Sequence, residues 1–144
     1  MTATLYTTDF YAWTQRQAEL LRHEAFEEID WQNLAEEIES LGRSEKRELS
    51  NRLRVLILHL LKWQWQPEHR SRSWRSSIHV QRRDLGRLLK DNPSLRPTIG
   101  DVVKDVYREA AEEAVEEMGL LRSPFPSACP YLVEQIFDSE FWPE

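Results

Sequence analysis

The chain has 144 residues, 40% hydrophobic and 31% charged, a composition that is globular rather than disordered. That length is enough for one helical domain over residues 1–144 with a core that needs no disulfide staples, and the single cysteine, Cys129, excludes an intramolecular bridge. The net charge of -6 hides a segregation: residues 1–42 carry two Arg and nine acids, residues 43–90 thirteen Lys/Arg and four acids, residues 91–144 four Lys/Arg and twelve acids.

In chain order, the spacing predicts a first helix over residues 9–23, capped by Thr8 or Asp9, with Phe10, Trp13, Gln17, Leu20 and Leu21 on one face. Asp30 opens a second helix, with Ile29 and Leu34 at the two positions of a hydrophobic staple. Trp31, Leu34, Ile38 and Leu41 share its apolar face, and Gly42 is expected to end it. Glu36, Glu37 and Glu39 sit on this helix; Glu37 and Glu39 lie about 200° apart at ~100° per residue, too far round to share one ligand.

The third helix, residues 44–66, is the element around which the rest is expected to pack. It reads VLILHLL from Val55 to Leu61 and stops before Pro67. A helix apolar nearly all round is normally buried. Leu49, Leu53, Leu56, Ile57, Leu60 and Leu61 form its main stripe, while Arg52, His59, Lys62 and Gln66 form a polar line along it. A buried imidazole needs a hydrogen-bond partner, and Glu37 or Glu39 of the preceding helix are candidates.

Ser71 or Ser73 caps a fourth helix that runs to Asp91 and ends at Asn92-Pro93. Trp74, Ile78, Leu85, Leu88 and Leu89 cluster on one side; Arg72, Arg75, His79, Arg82, Arg83, Arg87 and Lys90 are placed on the other. A basic amphipathic helix meets an anionic surface, a phosphate backbone or an acidic partner, so Arg72, Arg75, Arg82, Arg83 and Arg87 are candidate binding residues. The fifth helix, Ser94 to Met118 with Gly119 as its stop, turns Ile99, Val103, Val106, Tyr107, Ala110, Ala114 and Met118 to the core. Its acidic flank of Asp105, Glu109, Glu112, Glu113 and Glu116 is the expected complement of the fourth helix. The tail is punctuated by Pro124, Pro126 and Pro130; Pro130 suits the first position of a short helix through Phe137, and Phe141-Trp142-Pro143 is expected to dock on the body.

The motifs LYTTDFYAW, LAEEIESLGRSEKRELSNRL, HLLKWQWQPEHRSRSW, NPSL and CPYLVEQIFDSEFWP together resemble the domain of unknown function 29 family over essentially the whole chain. The resemblance implies an all-helical, cytoplasmic bacterial protein of a kind common in cyanobacteria, and it implies no activity. The fold expected is therefore all-α: five main helices and a short sixth. No leader of the secretory kind opens the chain, and its apolar runs fall short of the roughly 20 residues that span a bilayer.

Two functions from different classes fit these residues. One is a non-enzymatic interaction module that meets a protein partner, or a second copy, through its charged faces. The other is a metal-independent ribonuclease of the HEPN type, or a nucleic-acid-binding protein. Arg54 to His59 and Arg52 to His59 both fit an Arg-x(4–6)-His spacing. His59 would act as general acid or base on a ribose hydroxyl, and Arg52, on the same helix face, would stabilise the phosphorane charge. No cofactor or metal is called for: Gly-x-Ser-x-Gly and glycine-rich phosphate loops are absent, and one cysteine with four scattered histidines makes no zinc set.

Overall fold

The computed structural model describes residues 4–144, and within them every regular element is helical. Helix α1 covers Leu5–Thr8, α2 Phe10–Arg22, α3 Trp31–Trp65, α4 Arg72–Asp91, α5 Ile99–Glu117 and α6 Val133–Phe137. The all-α expectation is met, with four long helices rather than five. The difference is α3, in which the expected second and third helices are one 35-residue helix.

Gly42 does not stop that helix. Glycine in a helix interior costs only about 0.5–1 kcal/mol relative to alanine, and nothing downstream offers an exit before Pro67. Arg43 pairs with Glu36 and Glu39 across it, at 3.3 and 3.8 Å. The glycine that does take the left-handed conformation is Gly119, at φ +67°, after α5. There the Leu120 amide donates to Val115 O at 3.0 Å and the Gly119 amide to Glu116 O at 3.1 Å, the paired bonds of a Schellman end.

The chain forms two compact units, one up to Ser44 and one from Glu45 onward, and α3 contributes to both. In the first unit α2 is capped by Asp9, which accepts from the Ala12 amide at 3.1 Å. Polar cross-links join α2 to the start of α3: the Asp30 amide donates to buried Gln17 at 2.8 Å, and Trp13 Nε1 donates to Asp30 Oδ2 at 3.1 Å. The Asn33 side chain, then Trp13, hold the Asp30 carboxyl below the usual carboxylate range. Tyr6 donates to Glu37, which pushes the tyrosine hydroxyl's pKa up.

In the second unit Leu53, Leu56, Ile57, Leu60 and Leu61 of α3 are completely buried, among Ile78 and Leu85 of α4 and Ala110 and Ala114 of α5. This is the element the apolar run predicts as central. Two boundaries differ from expectation. Residues Pro93–Thr98 form a 3-10 turn, and the α-helix begins only at Ile99. Pro97 disfavours the α conformation at Arg96 and supplies no amide. Likewise α6 begins at Val133 rather than Pro130. The Tyr131 side chain is drawn into the core, where its hydroxyl donates to Gln64 at 2.8 Å. The tail docks as expected, with Trp142 against Trp63 (4.8 Å between ring centroids) and Pro143 buried.

Candidate interaction surface

The nuclease candidates lie on α3, and each is already engaged. Burial around His59 is partial, and its Nδ1 stands 2.8 Å from Val55 O, one turn back. A carbonyl only accepts, so Nδ1 carries a proton and donates it there, which leaves Nε2 outside this contact. The partner of His59 is thus the Val55 carbonyl, not Glu37 or Glu39, which lie far back along the same helix. Arg52 is held by Glu48 (2.6 Å), Asp84 (3.1 Å) and Gln81 (3.2 Å). Arg54 is held by Glu113 at 2.6 Å and Lys62 by Glu117 at 3.0 Å. Of the acidic flank of α5, Glu113 therefore pairs with α3, as does the neighbouring Glu117, where α4 is the expected partner, and Glu112 pairs with Arg108 of its own helix.

The five basic candidates on α4 separate into different environments. Arg82 is only 7% exposed. Its Nε donates to Ile136 O at 2.8 Å, and its Nη2 donates to Gln135 O at 3.2 Å and Phe141 O at 2.9 Å. Its guanidinium lies 5.6 Å from the Trp142 ring centroid. It clamps the tail instead of facing solvent, a correction to its place on the basic face. Its spacing to Ile78, Leu85 and Leu89 signals a core position, but a guanidinium is assigned to water until backbone acceptors are known to surround it. Arg75 sits over the Trp63 and Trp142 rings at 5.7 and 5.5 Å. Arg83 pairs with Asp84 at 3.1 Å. The Arg83 hydrogen bond, with the charges of Arg83, Arg52 and Arg87, holds the Asp84 carboxyl below its ordinary value. Arg72 and Arg87 are exposed and, among the described residues, have no carboxylate within ion-pair distance.

Among the described residues no three His, Cys, Asp or Glu side chains gather as a metal site, and no helix is long and apolar enough to cross a membrane. Cys129 is partly buried, and burial raises the pKa of its thiol, so the reactive thiolate is disfavoured.

The surface that composition alone does not reveal is in the first unit. Phe10, Leu21, Ile38 and Leu41 are exposed, Ile38 at 61% and Leu41 at 69%. With Trp13, Thr14, Gln17, Ala18, Leu34 and Glu37 they line a groove of about 350 Å³ between α2 and the first turns of α3. The apolar pattern of these helices is legible in the sequence. Its partial exposure is not, because periodicity reports a face and not what covers it. The exposed apolar residues line one groove rather than being scattered.

The chain matches the family described as domain of unknown function DUF29 over residues 5–142. No curated protein and no solved structure matches it.

Proposed function

We propose that the chain, which belongs to the DUF29 family by a match spanning nearly its whole length, is a non-enzymatic protein-interaction module. The observation that carries this reading is the groove of the first unit, where Phe10, Leu21, Ile38 and Leu41 are left exposed around a concave apolar floor. Against an enzyme stand candidate arginines that are already paired with carboxylates, Arg52 with Glu48 and Asp84 and Arg54 with Glu113. To reach a phosphorane, Arg52 would have to break two ion pairs. A cytoplasmic location belongs to the same reading and is supported by the lone, unpaired Cys129.

The test is an RNA-cleavage assay on purified protein beside thermal melts of wild type, His59→Ala and Arg52→Ala. No cleavage above the buffer control is expected. Metal-independent cleavage that disappears in both variants, with melts within a few degrees of wild type, would replace the module with the HEPN-like nuclease.

A second reading, nucleic-acid binding along α4, has one observation in its favour: Arg72 and Arg87 are exposed cations free of carboxylate partners among the described residues. The overall charge of -6 opposes it. Retention of single-stranded RNA at physiological salt that is lost in Arg72→Glu/Arg87→Glu, with the melt unchanged, would establish it.

A further inference from the structure

We propose that the groove of the first unit receives one amphipathic helix of a partner protein, apolar on one face and basic on its flanks. This rests on the interaction-module reading and names the occupant of that surface. The groove walls come from side chains about one turn apart, Phe10, Thr14, Gln17 and Leu21 on α2, and Leu34, Ile38 and Leu41 on α3. At 1.5 Å per residue the α2 wall from Phe10 to Leu21 is about 16 Å long, three turns of a helix. A guest helix presenting apolar side chains at i, i+3, i+4 and i+7 matches that length. Ala18, small and between Gln17 and Leu21 on that wall, lets a guest backbone come close.

Charge then chooses among guests. The polar lining groups are Thr14, Gln17 and Glu37; Gln17 already accepts from the Asp30 amide and Glu37 from Tyr6. The sole charged lining residue is therefore an acid. Residues 4–44 carry nine acids and three arginines, a net charge of -6. A second copy would bring that charge against an equal one across a two-fold axis. Its four exposed apolar side chains also offer only roughly 400 Å² per partner, by typical side-chain areas, against the ~800 Å² usual in a stable dimer. Anionic lipid is repelled for the same reason. A lone helix needs less area, and lysines or arginines beside its apolar stripe are attracted by Glu37 and the net negative charge of residues 4–44.

The probe is a fluorescein-labelled helical peptide of about 18 residues, some 27 Å long, with leucines at i, i+3, i+4 and i+7 and lysines and arginines on its flanks. Its affinity for the full chain is read by anisotropy at physiological salt. Two control peptides accompany it: one of identical composition with the apolar stripe scrambled, and one with glutamates in place of the basic residues. Expected is binding at least tenfold tighter than to either control. Ile38→Ser/Leu41→Ser should weaken it at least tenfold with the thermal melt unchanged, and a photo-crosslinker on the peptide should label residues 10–41. Equal binding of the scrambled peptide would reduce the effect to bulk electrostatics and overturn the proposal. So would equal binding of the acidic peptide, or no binding. Sedimentation of the wild type as a dimer that Ile38→Ser/Leu41→Ser dissociates would overturn it too, in favour of a second copy in the groove. None of these failures produces RNA cleavage, so they leave the interaction-module reading to its own assay.

Discussion

Replacing Arg82 by methionine removes the donor for three backbone carbonyls of the tail, those of Ile136, Gln135 and Phe141, at 2.8, 3.2 and 2.9 Å. Methionine keeps most of the apolar stem, so the loss is chiefly polar. Each buried acceptor stripped of its partner costs about 1–3 kcal/mol. Against this, the variant no longer buries a guanidinium, whose burial lowers its pKa and whose Nη1 makes no hydrogen bond. Hydrogen bonds from a charged donor contribute about 1.5–3 kcal/mol each, and after the relief of no longer burying a charge a net loss of about 3–5 kcal/mol is expected here. For a chain of this length it corresponds to a fall of roughly 10–15 °C in Tm. Urea unfolding followed by circular dichroism measures it. Arg82→Lys, which keeps the charge but not the fork of donors, should lie between wild type and methionine. The tail is the mechanism, so a double-mutant cycle of Arg82→Met with Trp142→Ala should show coupling above ~0.5 kcal/mol. A loss under about 1 kcal/mol for Arg82→Met, with no coupling to Trp142, would refute the clamp and return Arg82 to the exposed basic face.

Leu56→Ala, at a completely buried site on α3, should cost ~2–5 kcal/mol in chemical unfolding; a loss below about half a kilocalorie would place that helix at the surface. Gly42→Ala should stabilise the chain by about 0.5–1 kcal/mol, because the glycine lies inside a continuous helix with open space where the methyl would go. Destabilisation in the same melt would mean that Gly42 ends a helix after all. Burial pushes the Tyr107 hydroxyl from 10.0 to about 12, and Tyr131 higher still. Both folded values lie above the unfolded one, so their contribution to stability is intact below pH 10 and lost as pH rises from there. Tm should therefore fall between pH 10 and about 12, less steeply in Tyr107→Phe, with tyrosinate absorbance in the native protein lagging that of the unfolded chain.

Helix content, the identity of the central element and the left-handed stop at Gly119 are all legible in the sequence, because each depends on local physics. The VLILHLL run can be stable only in the interior, whatever surrounds it, and its hydrophobic residues are the buried ones, Val55 alone being half-covered. Capping by Asp9 and Ser71 needs only a short acceptor beside free amides, at 3.1 and 3.2 Å. Local chemistry also sets a limit. Gly42 and Gly119 both carry the sequence sign of a stop, and only the residues downstream of each decide between them. After Gly119 come a loop and Pro124; after Gly42 come residues that continue the helix.

Pairings between elements required the tertiary structure. The charge segregation establishes that basic and acidic helices occur, but a point charge does not specify its partner. The geometry gives Glu113 and Glu117 to Arg54 and Lys62 of α3, not to α4. Arg82 shares the core spacing of α4 with Ile78, Leu85 and Leu89, yet its burial depends on carbonyls more than fifty residues away, at Gln135, Ile136 and Phe141. The groove is decided at the same level. Periodicity gives Ile38 and Leu41 an apolar face, while their exposure depends on α2 and α3 meeting at one edge and leaving the other open. A sequence determines which side chains avoid water; which of them find cover within the same chain is settled only by the packing of its helices.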